Sequence, residues 1–283
     1  MPELPEVETV KKSLQSFLLD RQILTIDVLR SKSFPNLDLK EQIIGQKIVA
    51  VERRAKIIDI VFANDWHLLT HLKMTGQLLY LNQETLVGGG HPTNDVLKQL
   101  PGKHTRIIYQ LDNRAQLFFN DMRVFGWMKI FSPETIKTEW QKYGPDANIN
   151  ISLIYLKEKL KNKKQPIKIA MMDNKIWSGI GNIYASEILF AAKVLPNRAA
   201  NSLSDAELSS LIYHTKKILD EAIIYNGTTF DGKYVDAMGK SGNYWSKLKV
   251  YGKEGENCQI CGSRLKNIKL GGRASFYCER CQK

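Results

Sequence analysis

The chain has 283 residues, 43% hydrophobic and 25% charged, the balance of a globular protein with room for one large domain or two to three small ones. Its 41 Lys and Arg against 29 Asp and Glu give a formal charge of +12, which suits a polyanionic partner. There is no run of about 18 apolar residues to span a bilayer, no opening signal-peptide pattern and no lipidation motif or basic amphipathic anchor, so the expected location is the cytoplasm.

The chain opens Met1-Pro2-Glu3-Leu4-Pro5-Glu6. Pro2 is small enough for Met1 to be removed, which leaves a secondary amine at the N-terminus. An α-amino group has a reference pKa near ~8, so part of it is unprotonated and nucleophilic at neutral pH. Attack on an aldehyde-like carbon would give an iminium ion, the electron sink of Schiff-base chemistry. Glu3 and Glu6 lie beside it for proton transfer. The same residues also read as an ordinary start with helix-opening charges. Pro5, Glu6 and Glu8 suit a helix N-terminus, and Val7, Val10, Leu14 and Phe17 follow at helical spacing.

From about 22 to 131 the pattern is that of strands. Ile23–Leu29, Ile48–Val51, Ile57–Phe62 and Leu68–Leu72 are short apolar runs broken by charged or turn residues. Thr105–Leu111 and Gln116–Asn120 flank a hairpin turn at Asp112-Asn113-Arg114-Ala115, and Trp127–Phe131 is a last strand closed by Ser132-Pro133. Gly88-Gly89-Gly90 reads as a flexible loop. An antiparallel sandwich or barrel carrying the first helix is the simplest assembly.

After Gly144-Pro145 the periodicity is helical. Helices are expected over Ile151–Leu160, from near Pro166, and over Ile183–Ala192. A capping box at Ser204-Asp205-Ala206-Glu207 opens a long helix that Asn226-Gly227 ends. Residues 228–246 lack periodicity and read as a mobile loop.

All four cysteines fall in the last 26 residues, as Cys258-x2-Cys261 and Cys278-x2-Cys281. Two such knuckles are the pattern of a four-thiolate zinc site, and four thiolates leave no open catalytic position. Residues 246–283 carry nine Lys or Arg against three acids. A basic ribbon of this kind suits phosphate contact, with Arg273 placed where a hairpin tip would present it. Gly179-Ile180-Gly181-Asn182 joins two helices, and glycines before a helix N-terminus favour an anion, although a plain connection would look the same. Met74, with Arg123 and Phe125, sits at strand-to-loop boundaries. Such residues can wedge into a base stack where a nucleotide is extruded; in isolation they also read as core. Lys56, in Arg53-Arg54-Ala55-Lys56, reads alone as a surface charge.

Taken together, these residues resemble the bacterial formamidopyrimidine-DNA glycosylase family, related to endonuclease VIII. The resemblance spans Pro2–Thr9, Arg53–Lys56, the Met74 and Arg123/Phe125 loops, Met172–Lys175, Gly181–Glu187, Gly227–Thr229, Val250–Gly252 and Arg273–Cys278. It implies a multidomain α+β fold. A β-sandwich with an N-terminal helix would occupy 1–133 and a linker 134–150. A helix–two-turn–helix domain with a lesion-reading loop at 228–244 would occupy 151–246, and a zinc-finger β-hairpin 247–283.

The implied activity is a glycosylase and abasic-site lyase that removes oxidised purines in base excision repair. Pro2 would attack C1′, with Glu3 moving protons at the sugar and Glu6 as its supporting acid. Lys56 would contact phosphate and assist β-elimination, and Arg273 would grip the flanking phosphates for δ-elimination. Met74, Arg123 and Phe125 would fill the void, and His71, His104, Lys163, Asn182 and Tyr244 would touch DNA, with Lys168 in the lesion-reading region. Cys258, Cys261, Cys278 and Cys281 would hold one structural zinc, with no organic cofactor. The partner would be double-stranded DNA with oxidised bases or abasic sites, bound by a monomer associated with the nucleoid.

The sequence departs from the usual pattern at Lys73, in place of Gly, at Val124, in place of a common Arg, and over Phe230–Asn243. These changes bear on lesion and opposite-base preference. Two other readings stand beside this one. They are an endonuclease VIII-like enzyme for oxidised pyrimidines, which Leu4 and Val7-Glu8-Thr9 disfavour, and a non-catalytic zinc-ribbon DNA-binding protein, which would have no need of Pro2, Glu3 and Lys56.

Overall fold

The computed structural model describes residues 1–83, 85–90, 100–228 and 242–283. They form two compact units, Met1–Gln141 with Tyr225–Trp245, and Lys142–Ile224 with Ser246–Lys283. The basic, cysteine-bearing segment thus groups with the helices that precede it.

The first unit opens with α1 (Leu4–Leu18), which buries Val7, Val10, Leu14 and Leu18 along one stripe. Among the described residues nine strands follow: β1 (Ile23–Val28), β2 (Ile48–Arg54), β3 (Ile57–Phe62), β4 (His67–His71), β5 (Gly76–Leu81), β6 (Leu86–Gly90), β7 (Thr105–Leu111), β8 (Gln116–Asp121) and β9 (Trp127–Phe131). They make two separate antiparallel sheets, in the orders β1-β7-β8-β5-β6 and β2-β3-β4-β9. Ile26, Tyr109 and Phe119 from the first sheet share one core with Ile58, Ile60 and Ile130 from the second, and the α1 stripe joins it. This is a sandwich rather than a barrel, because neither sheet closes on itself. A short helix, α2 (Thr135–Trp140), lies within the stretch read as a linker.

The Gly88-Gly89-Gly90 run is not a loop. It is the end of β6, paired with β5 in the register Gln77↔Gly90, Leu78↔Gly89 and Leu79↔Gly88. A Cβ on Gly88 would overlap the Leu78 carbonyl, and one on Gly90 the Gly76 carbonyl. The two backbones approach so closely that only glycine fits. Strand propensity could not reveal this, because the requirement comes from β5.

The second unit holds α3 (Leu153–Leu160), α4 (Ile167–Met171), α5 (Asn182–Ala191) and α6 (Asp205–Ile224), followed by the hairpin β10 (Lys266–Leu270) and β11 (Arg273–Tyr277). Ser152 caps α3 by accepting from the Tyr155 N–H, so that helix begins two residues later than the periodicity suggested. The capping box of α6 is reciprocal: Ser204 N–H donates to Glu207 at 2.8 Å and Glu207 N–H to Ser204 Oγ at 3.3 Å. Most of α5 is buried, the polar Ser186 and Glu187 included, which explains why its sequence shows no single apolar stripe. The starts of α3 and α6 therefore follow side-chain caps, whereas α4 and α5 begin after Pro166 and Gly181 without one. The middle of the loop expected at 228–244, residues 229–241, lies outside the described residues.

Candidate functional site

Pro2, Glu3 and Glu6 are all buried at the head of α1, behind the half-exposed Met1. Glu6 fixes this corner. Its Oε2 accepts the Glu3 N–H at 2.8 Å. Its Oε1 accepts the Thr228 N–H at 2.7 Å and the Thr228 hydroxyl at 3.1 Å. Gly227 packs so tightly that a Cβ there would lie 2.6 Å from Glu6 Oε1, and its φ of +77° already demands glycine. The neck of the segment closes through Asn243 N–H to the Tyr225 carbonyl and Tyr244 N–H to the Gly227 carbonyl, at 2.9 and 3.0 Å. Tyr244 is buried here, 6.2 Å from the Tyr225 ring. Both carboxylate oxygens of Glu6 are thus engaged, fixing the Glu3 backbone and Thr228 about one carboxylate.

Lys56 is buried in the two-residue turn between β2 and β3, where Ala55 takes a left-handed φ of 55°. Arg53 braces that turn. Its Nε meets Glu8 of α1 at 2.7 Å and its Nη1 donates to the Ala55 carbonyl at 3.1 Å. An ion pair this sheltered costs more to break than a surface pair, since either partner alone would be left a buried charge. The Lys56 charge reaches His71 at the end of β4.

His71 accepts the Lys73 N–H on Nδ1 at 3.1 Å, which assigns its proton to Nε2. Burial, then the Lys73 and Lys56 charges, pull its pKa from 6.5 to about 3. His71 is therefore a neutral donor at physiological pH. Because the folded value lies below the unfolded one, the stability it confers is complete above pH 6.5 and is lost as pH falls toward 3. At pH 5 the loss from this group is about 2 kcal/mol. The variant His71→Gln should lose correspondingly less stability than the parent between pH 8 and pH 5 in denaturant titrations. An identical pH dependence would remove this assignment.

Met74 and Phe125 are solvent-facing, 37% and 48% exposed, so the core reading of them does not hold. The Arg123 guanidinium stacks 4.8 Å from the centre of the Phe125 ring. One buried carboxylate ties these two loops together. Asp121 accepts the Thr75 hydroxyl and the Arg123 N–H (3.2 Å) on Oδ1, and the Gly126 N–H (2.7 Å) on Oδ2. Thr75 Oγ1 in turn accepts the Arg123 N–H at 3.0 Å. The loops that carry Met74, Arg123 and Phe125 are therefore pinned to one another through Asp121 and Thr75. Lys73 and Val124, the two departures from the usual pattern, both sit at left-handed φ, 51° and 55°. His104 lies on the same side of the sandwich, its carbonyl accepting the Asp121 N–H at 2.9 Å.

In the second unit Arg273 is exposed at the first position of β11, beyond the Gly271-Gly272 turn. Lys168 is fully buried beneath that hairpin. Its ammonium donates to the Ala274 carbonyl, Ser275 Oγ and Ser186 Oγ at 3.0, 3.0 and 2.9 Å, joining α4, α5 and β11. Asn182 is the first residue of α5, after the Gly179-Ile180-Gly181 connection, with Gly181 as N-cap. Lys163 is half-buried just beyond α3, its carbonyl accepting the Asn201 N–H at 3.0 Å.

Sequence reasoning missed Glu187 as a functional group. Its buried carboxylate accepts three successive N–H groups, from Lys249, Val250 and Tyr251, at 2.8 to 3.0 Å. Burial raises its pKa against these bonds. It anchors the approach to the cysteine ribbon, and only a contact 62 to 64 residues away reveals it.

The four cysteines converge. Their sulfurs all lie within 4.8 Å of one another, with Cys258 to Cys281 at 3.8 Å and Cys261 to Cys278 at 3.5 Å. A tetrahedron with Zn–S bonds of about 2.3 Å has edges of about 3.8 Å, so the donor set fits a structural Zn²⁺. A two-stranded hairpin alone is marginal, whereas a structural zinc contributes about 10–16 kcal/mol of folding energy. Metal analysis should therefore find one zinc per chain. Chelation or Cys258→Ser should release it and open 255–283 to protease while the sandwich stays folded, and a zinc-free native protein would refute the site.

Three family models match successive parts of the chain. Residues 1–128 match the formamidopyrimidine-DNA glycosylase N-terminal domain, 143–233 the formamidopyrimidine-DNA glycosylase H2TH domain, and 255–283 the zinc finger found in FPG and IleRS. Formamidopyrimidine-DNA glycosylase of Rickettsia bellii is 39% identical and that of Listeria innocua 38%, each covering the whole of both chains. The Lactococcus lactis enzyme superimposes with a TM-score of 0.87 at 28% identity. Two of its complexes are similar, one with N7-benzyl-Fapy-dG DNA, covering 100% of both chains, and one with abasic-site DNA, covering 99% of both. With these matches over its whole length, the chain that carries the buried acidic corner, the loops pinned by Asp121 and the four-cysteine ribbon belongs to the formamidopyrimidine-DNA glycosylase family.

Proposed function

We propose that this chain is a bifunctional DNA glycosylase and abasic-site lyase that excises formamidopyrimidines and other oxidised purines from duplex DNA. The observation that carries this reading is the corner at the head of α1. There Glu6 locks Glu3 beside a buried Pro2, so that an amine freed by loss of Met1 has a fixed position and an adjacent carboxyl. Fixed geometry of this kind converts attack on C1′ into an effectively unimolecular step.

In the reaction, the Pro2 nitrogen bonds to C1′ as the damaged base departs with a proton, and Glu3 moves the proton that opens the sugar ring. The resulting iminium withdraws electrons from C2′. Loss of the C2′ proton expels the 3′ phosphate, and a second elimination expels the 5′ phosphate. Lys56 neutralises phosphate charge at the first departure and Arg273 at the second. Met74, Arg123 and Phe125 fill the space of the extruded nucleotide and meet the unpaired base.

The +12 charge supplies the affinity for duplex phosphates. No helix among the described residues is long and apolar enough to cross a membrane, which fits work in the cytoplasm on the nucleoid. Borohydride trapping tests the reading. A covalent adduct should form on duplexes carrying a formamidopyrimidine or 8-oxoguanine opposite cytosine, mapped to an N-terminus that begins at Pro2. Trapping confined to oxidised pyrimidines would move the chain to the endonuclease VIII-like reading. A Met1-free protein that traps on nothing would leave only a DNA-binding protein.

A further inference from the structure

Beside the wedge, the first unit holds a pocket of about 400 Å³ whose lining includes Lys32, Lys73, Phe125, Trp127 and Lys129. Among the described residues the lining carries three ammonium groups and no carboxylate, with Met1 completing one side. The Lys129 ammonium lies 4.7 Å from the centre of the Trp127 ring. Lys73 is half-buried and placed by a left-handed turn, a conformation that costs an ordinary side chain energy. Burial and the Lys129 charge together hold the Lys73 amine below its ordinary pKa. Converging like charges with reduced hydration are unfavourable until an anion shares the space. The Trp127 and Phe125 rings add aromatic surface, which suits a base attached to that anion.

We propose that this pocket is a nucleotide subsite for DNA next to the lesion, with one phosphodiester held by Lys73 and Lys129 and its base against Trp127. The inference rests on the glycosylase reading above; Met1 forms part of the wall, so the seat adjoins the nucleophile corner, and what it adds is the Lys73 and Lys129 phosphate grip. The wedge residues Met74 and Phe125 border the pocket, so its occupant is a neighbour of the extruded nucleotide, on either strand.

The test uses duplexes with an uncleavable tetrahydrofuran abasic analogue, in which single phosphates on each strand are replaced in turn by neutral methylphosphonate. Binding is titrated against salt for the parent and for the Lys73→Gln/Lys129→Gln protein. One phosphate contact should be lost, so the slope of log Kd against log salt should fall by about 1 in the variant. One methylphosphonate position should weaken the parent about 10-fold and the variant less than about 2-fold, the signature of a coupled pair. The strand carrying that position identifies the source of the nucleotide. An unchanged salt slope, or equal losses in both proteins at every position, would overturn the subsite. A parent protein that fails to prefer the abasic duplex at all would count against the glycosylase reading itself.

Discussion

A protein that carries an uncleaved residue ahead of Pro2 should cut no damaged or abasic duplex, while its affinity for the abasic analogue stays within a few-fold of the parent. Behind another residue the Pro2 nitrogen is an amide, without the lone pair that attacks C1′. Pro2→Gly should be slower by about 100-fold, or about 2.7 kcal/mol of barrier. A secondary amine gives an iminium that has no N–H to lose and therefore stays cationic. The glycine adduct can shed its proton, and the neutral imine acidifies C2′ far less. The expected pattern is loss of rate at preserved affinity, because the DNA contacts proposed here come from other residues. Single-turnover cleavage of an abasic duplex measures it, and parental rates from the extended protein would remove Pro2 as nucleophile.

Asp121→Asn should slow excision of 8-oxoguanine by about 10- to 100-fold while cleavage of a preformed abasic site changes little. Asp121 accepts from Thr75, Arg123 and Gly126, and it is fully buried. Asparagine keeps one acceptor oxygen and turns an NH₂ toward a backbone donor. A buried donor left without a partner costs about 1–3 kcal/mol, which matches that range of rate. The wedge works when a stacked base must be displaced, and a preformed abasic site has no base to displace. Thr75→Val, which removes only the bridging hydroxyl, should show the same split at smaller size. Equal slowing of the two steps would make Asp121 a plain fold residue.

What the sequence makes legible is local. The α1 stripe, the β3 and β9 spans, the 112–115 turn, the α6 capping box and the paired cysteines all declare themselves within about a dozen residues, by periodicity or spacing. What it conceals is partnership. Gly88 and Gly90 look like a loop until the β5 backbone lies against them. The resemblance sets Lys168 in the lesion-reading region, and nothing in the sequence shows that its ammonium is enclosed by oxygens from Ser186, Ala274 and Ser275. Asp121 and Glu187 are single letters in the chain, and their meaning resides in donors that distant residues deliver, the Thr75 hydroxyl to the one and the Lys249, Val250 and Tyr251 N–H groups to the other. Met74 and Phe125 illustrate the reverse case. Their apolar character suggests the interior, and only the sheet geometry shows that they face outward.

The bond between Glu6 and Thr228 joins residues 222 positions apart, and this separation sets an order of events during synthesis. At about 5–20 residues per second, roughly 10 to 45 seconds pass between the emergence of the two. Throughout that interval Thr228 is not yet available to Glu6, and the head of the chain lacks its final lock. An aminopeptidase can then reach Met1 freely, whereas the finished corner buries the Pro2 bond it must cut. The nascent chain is thus open to processing early and is completed late, so a ribosome-bound fragment should carry a trimmed N-terminus before it can act on DNA.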